Sequence, residues 1–168
     1  MVQTQNVSNL PVNLQKDFCR DKVLSLIQSN VKVAVIISDA LRFEVAEELA
    51  GRVEEAGRFS TELGWMAGML PSYTALGMAA LLPNETLSIQ SDGNVLVDGV
   101  SSAGMDNRSK ILKQAVKGGA KALLANDLKT MSHDERRTLF RENQVVYVYH
   151  NQIDRSEERR VGKECRSR

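Results

Sequence analysis

The chain has 168 residues, 42% hydrophobic and 26% charged, which suits one globular domain with a core of its own. Its formal net charge is +1, and no apolar run approaches the roughly 20 residues of a membrane span. The opening MVQTQNVSNLPVNLQ has no basic start followed by an apolar stretch, so it does not read as a secretory signal, and a cytoplasmic location is expected.

Residues 1–30 read as a helical lead-in. Within them, 13–28 set Leu14, Phe18, Val23, Leu24 and Ile27 on or near one helical stripe. A buried strand is predicted over 32–38, ending at once on Asp39. A helix over about 42–56 follows, with Val45, Leu49, Val53 and Ala56 at helical spacing and Gly57 as its stop. Residues 58–66 read as a second strand or extended segment interrupted by Gly64, and PSYTALGMAALLP as a short helix capped by Ser72 and ended by Pro83. LSIQSDGNVLV has the pattern of a hairpin turning at Asp92-Gly93. A helix over 106–117 stops at Gly118-Gly119, SHDE (132–135) forms a capping box for a helix to about Glu142, and QVVYVYH is a strand. Strands alternating with helices favour an α/β sheet covered by helices on both faces.

The last fourteen residues, RSEERRVGKECRSR, have no apolar periodicity. They resemble the in-frame translation of a short-read sequencing adapter beginning AGATCGGAAGAGC, and 155–168 is therefore expected to be non-native and disordered. Setting aside their six Arg/Lys and three Glu takes the net charge from +1 to −2, which removes the electrostatic case for nucleic-acid binding. Cys165 goes with them, leaving Cys19 alone, so neither a disulfide nor a cysteine-based zinc site is expected.

Three places carry candidate chemistry. Asp39 stands just past the carboxyl end of a strand, where ligands collect in open α/β sheets, and it suits either a cation or the N-cap of the next helix. Thr74 and Ser72 lie at a helix start, where a hydroxyl can meet a phosphate or simply cap the helix. His150 and Asp154 in HNQID have i,i+4 spacing, open to a pair of metal ligands or an ordinary surface turn. His133 reads as a solvated helix residue, and Trp65, Met66, Met69 and Met78 as core. The chain lacks G-x-G-x-x-G opening a helix after a strand, G-x-x-x-x-G-K-[ST] and G-x-S-x-G, which argues against two common nucleotide-binding folds and the α/β-hydrolases.

Four blocks in order, VAVIISDALRFEVAEELAGRV, MLPSYTALGMAALLP, VLVDGVSSAGMDNRSKIL and FRENQVVYVYHNQID, resemble the PglZ domain of bacteriophage-exclusion (BREX) defence systems over about 31–154. The resemblance implies the alkaline phosphatase superfamily: an α/β sandwich with a mostly parallel sheet, here C-terminally truncated, and a site for two divalent metals, usually zinc. By that resemblance Asp39 matches an acidic metal ligand after the first core strand. Thr74 matches a residue that is both nucleophile and metal ligand, since the related P-T-x-T motif places the nucleophile at its second hydroxyl; Ser72 is the lesser claimant. His150 and Asp154 match the HNxID block as metal ligands. The implied activity is metal-dependent phosphatase or phosphodiesterase chemistry on a phosphate ester, of which nucleotides and nucleic acids are examples. Other phage-defence proteins are the implied partners, no membrane is, and the fragment itself is expected to be inactive. The alternative is a non-catalytic interaction module within the defence complex.

Overall fold

A computed structural model describes residues 12–151 and 153. Asp154, the 155–168 segment and the first eleven residues of the lead-in lie outside the described residues.

The lead-in is helical but not one regular α-helix. A 3-10 turn (Gln15–Asp17) passes into a π-helical stretch (Cys19–Leu24) and then α1 (Ser25–Gln28). The buried face keeps Val23 of the predicted stripe and adds Cys19, while Phe18, Leu24 and Ile27 pack at the margin of the core. Strand β1 (Val33–Ser38) and helix α2 (Phe43–Glu55) follow as predicted. Residues 59–66 form no strand, and among the described residues the regular pairing nearby is the isolated parallel bridge of Leu14 with Ala67. Helix α3 (Thr74–Ala80) leads to the hairpin of β2 (Leu87–Ile89) and β3 (Val95–Val97). A second tight turn, Asp98-Gly99, adds β4 (Val100–Ser101). Both of its residues have positive φ, 48° and 81°, as a two-residue hairpin loop demands. After α4 (Met105–Ala115) come β5 (Ala120–Leu124), α5 (Ala125–Thr130), α6 (His133–Glu142) and β6 (Val145–His150).

The main sheet is parallel in the order β1-β6-β5, with the antiparallel β2-β3-β4 sheet beside it. β6 is central, which explains its run VVYVYH: a strand covered on both faces has no need to alternate, and five of its six residues are buried. On one face Val35, Ile37, Ala120, Ala122, Tyr147 and Tyr149 pack with the lead-in, α3 and α4. On the other face Leu123, Val146 and Val148 are covered by Leu128, Met131 and Leu139 of the α5–α6 region. The predicted α/β architecture, with helices on both faces of a parallel sheet, is thus the observed one.

Polar bonds lock these layers. The buried Ser109 hydroxyl accepts from the Ala122 amide at 2.9 Å and donates to its carbonyl at 3.3 Å, joining α4 to β5. Tyr147 donates to the Leu81 carbonyl at 2.9 Å, tying the end of α3 to the middle of β6. The Ser132–Glu135 capping box forms as the sequence foretells.

The sheet is unevenly covered. β1 is an edge strand with Ala34 and Ile36 outward, Ile36 being 71% exposed. No residue of α2 is buried, and Leu49 of its apolar stripe is 53% exposed. Trp65, at 66% exposure, and Met66 are surface residues rather than core, because no strand forms there to carry them inward. Met69 and Met78 do pack on the core.

Candidate active site

β1 and β6 run parallel and in register, so their last residues, Ser38 and His150, are direct partners. One residue further, the Asp39 amide donates to the His150 carbonyl at 2.9 Å. Asp39 and His150, 111 positions apart in the chain, are therefore brought together at the carboxyl ends of adjoining strands. Both are partly buried. The Ser38 hydroxyl lies 3.0 Å from Nδ1 of the His150 ring.

The capping role open to Asp39 in the sequence is not the one it plays. Helix α2 begins at Phe43 with Arg42 in the N-cap position, and the Asp39 carboxylate instead accepts from the Ala40 amide at 3.1 Å. Ala40 holds φ at 60°, a left-handed conformation that costs a residue with a side chain free energy. This tight turn sets Asp39 at the strand mouth instead of on the helix.

The same holds at α3. Its N-cap is Tyr73, in extended conformation, with no side-chain cap bond. The predicted Ser72 cap is therefore incorrect: Ser72 lies one residue too early and is exposed. Thr74 is the first helical residue and also exposed. Its neighbours Tyr73 and Leu76 pack into the large core cluster that also holds Val35, Ile37 and Tyr149.

His150 is the last residue of β6, so it does not begin a helical turn, and the i,i+4 argument for pairing it with Asp154 does not apply as stated. Asp154 itself lies outside the described residues. A carboxylate oxygen and an imidazole nitrogen at adjoining strand ends fit a zinc-like cation in kind. Among the described residues no group of three or more His, Cys, Asp or Glu side chains converges, so these supply fewer protein ligands than a zinc site requires.

Two features near this layer escaped the sequence reading. Ser38 could have been flagged only by its place directly before Asp39. Arg108 projects from α4 with its guanidinium 4.3 Å from the centroid of the Tyr149 ring, and its Nε donates to the Ser102 carbonyl at 2.9 Å. The cation covers the ring face, and the buried Tyr149 hydroxyl has no hydrogen-bond partner among the described residues. Burial pushes the Tyr149 phenol up to about 12, against the opposing pull of Arg108. The cavity of about 660 Å³ is elsewhere, between Lys16, Arg20, Asn84, Thr86, Asp98 and Gln114, and neither Asp39, Thr74 nor His150 lines it.

Comparison with known proteins places the chain in a family. Residues 18–168 match the profile of the BREX system PglZ alkaline phosphatase-like domain. The chain is 47% identical over 144 residues to the alkaline phosphatase-like protein BrxZ of Escherichia coli O9:H4 (strain HS), covering 83% of this chain and 16% of that protein. It is 39% identical over 140 residues to the alkaline phosphatase-like protein PglZ of Bacillus cereus (strain H3081.97), with 83% and 16% covered. The chain thus spans about a sixth of the length of these curated relatives. No solved structure matches it. The order of motifs, the parallel sheet and the profile agree: the chain belongs to the PglZ family of alkaline phosphatase-like domains of BREX systems.

Proposed function

We propose that this chain carries part of a metal-dependent phosphatase or phosphodiesterase site, with Thr74 as nucleophile and Asp39, Thr74, His150 and Asp154 as metal ligands. The observation that carries the reading is local: Asp39, Ser72 and Thr74 lie near helix starts, yet the N-caps are Arg42 and Tyr73 and none of the three caps its helix. Asp39 is instead joined to the end of β6 beside His150. A divalent metal, zinc by the kind of donors, would be held by Asp39 and His150 and would supply Lewis-acid stabilisation of a phosphate's negative charge.

The chain's own part is attack and alignment. The exposed Thr74 hydroxyl forms a bond from its oxygen to phosphorus, the alkoxide leaves with its bonding electron pair, and the threonine proton passes to solvent or to the leaving oxygen. Water then cleaves the phosphothreonine, releasing phosphate when the substrate is a monoester or a phosphomonoester when it is a diester, and restoring the hydroxyl. Thr74 stands at the start of α3, whose end is anchored by the Tyr147 hydrogen bond. Substrates of this chemistry include phosphomonoesters, nucleotides and nucleic-acid backbones, and the setting would be cytoplasmic with other BREX proteins as partners. Among the described residues no helix is long and apolar enough to cross a membrane.

The test is turnover of bis-p-nitrophenyl phosphate and of the corresponding monoester, with zinc, by a full-length relative carrying this segment. Thr74→Ala should abolish it and Ser72→Ala should spare it; retained turnover in Thr74→Ala sinks the assignment. The 168-residue chain alone should be nearly inactive and bind zinc weakly. A non-catalytic interaction module is the second reading, favoured by the absence of a three-donor cluster among the described residues and by the exposed apolar residues of α2.

A further inference from the structure

Helix α6 carries a cationic face that neither the packing of the sheet nor the proposed chemistry uses. Its Leu139 turns inward onto the Val146 and Val148 layer. Helical spacing puts residues 133, 136, 137, 140 and 141 on the outer side, so His133, Arg136, Arg137 and Arg141 surround Phe140. All five are exposed, and His133, Arg136, Arg137 and Phe140 line an open hollow of about 550 Å³. The acids of the first turn do not neutralise this face. Glu135 is taken by the capping box with Ser132, and Asp134 lies 3.7 Å from His133 without bridging an arginine. Arg136 commits its Nε to the Ser132 carbonyl at 3.4 Å, and among the described residues Arg137 and Arg141 have neither an ion pair nor a side-chain hydrogen bond. Arg20 and Arg52, by contrast, are each paired with a carboxylate.

Such a face is unfavourable for a helix that meets only water. Arg137 and Arg141 stand four residues apart, where like charges repel, and Arg136 and Arg137 lie near the positive end of the helix dipole. A solvated face normally alternates sign at that spacing, yet no arginine of α6 has an acid four residues away. A bound polyanion relieves both repulsions. We infer that the outer face of α6 is a docking surface for single-stranded nucleic acid, with Arg136, Arg137 and Arg141 on the phosphates and Phe140 stacked on a base. Arginine suits phosphate through its planar, bidentate fork. Phe140 at the centre of the stripe selects the partner: an exposed ring among cations is a base-stacking platform, which an acidic peptide does not need and a duplex cannot reach. The near-neutral charge of the whole chain does not oppose this, because charges farther away than about 10 Å are screened at ordinary salt.

The test is fluorescence anisotropy of a labelled oligothymidylate of about 20 nucleotides, longer than a typical single-strand site, titrated with the 168-residue chain. Chelator is present throughout, so the outcome is independent of the phosphatase reading. The triple variant Arg136→Gln, Arg137→Gln, Arg141→Gln keeps helix propensity, and its circular dichroism should match the wild type. Its binding should weaken about tenfold or more, and the slope of log affinity against log salt should fall by about 2, at roughly 0.7 per phosphate contact. Phe140→Ala should weaken binding about fivefold or more with the slope unchanged. A charge-matched control, Arg155→Gln, Arg159→Gln, Arg160→Gln, should lose much less. No wild-type binding at low salt, or equal losses from the two triple variants, overturns the inference. So does polyglutamate bound as tightly as the oligonucleotide, which would make the partner an acidic protein. Phe140→Ala equal to the wild type, or a duplex of the same length bound more tightly, overturns the single-strand assignment.

Discussion

Tyr147→Phe tests how α3, and Thr74 with it, is held on the sheet. The ring is fully buried between the layers, so the substitution keeps its packing and removes only the hydroxyl. That hydroxyl donates to the Leu81 carbonyl at 2.9 Å, just past the last residue of α3. A net intramolecular hydrogen bond is worth about 0.5–1.5 kcal/mol, and a carbonyl left short of a donor in a partly buried position adds to that. The expected destabilisation is about 1–2.5 kcal/mol. For a chain of this size each kcal/mol moves Tm by roughly 2–4 °C, so a fall of about 2–10 °C is expected. The assay is reversible urea unfolding followed by far-ultraviolet circular dichroism, paired with a thermal melt. A variant equal to or more stable than the wild type, with unchanged denaturant dependence, would refute the argument that this bond anchors α3.

The two core tyrosines also set an alkaline limit. Burial pushes both phenols above their ordinary value, Tyr149 to about 12, so the folded state resists ionisation that the unfolded chain undergoes near pH 10. Their contribution is intact below about pH 10 and is lost as pH rises toward the folded values, at up to about 1.4 kcal/mol per pH unit for each phenol; Tyr149→Phe should flatten that decline between pH 10 and 12 in chemical denaturation. At the open sheet edge, Ile36→Lys should reduce self-association in sedimentation velocity while changing stability little, since Ile36 is 71% exposed on edge strand β1. A wild type that is monomeric at high concentration would remove the premise. At Gly119 a Cβ would meet the Glu142 carbonyl at 2.6 Å with φ at 85°, whereas at Gly93, with φ at 82°, it meets nothing within 4 Å. Gly93→Ala should therefore cost about 1–3 kcal/mol from conformation alone, and Gly119→Ala clearly more. Equal melting temperatures for the two variants would discount the clash.

Legibility followed the range of the interactions. The capping box, the Asp92-Gly93 turn and the strands ending at Ser38 and His150 depend on neighbours a few residues away, and each was readable. β5 was not: AKALL has alanine, lysine and leucine, all good helix formers, and becomes a strand through its pairing with β6 and the Ser109 bonds to Ala122. Trp65 and the α2 stripe misled in the other direction, because apolar periodicity tells which face could be buried, not whether anything arrives to bury it.

The candidate site divides in the same way. Sequence alone named Asp39, Thr74 and His150, since motif order and residue chemistry are properties of the chain, and it determined the family. It could not choose between cap and ligand, because both uses want the same residue types at the same helix starts. Only the tertiary structure decided that Asp39 and Thr74 do not cap, by starting α2 at Phe43 and setting Tyr73 before α3. It also decided that Asp39 and Ser38 meet His150, because the register between β1 and β6 is fixed by packing across more than a hundred residues of chain that no local pattern encodes.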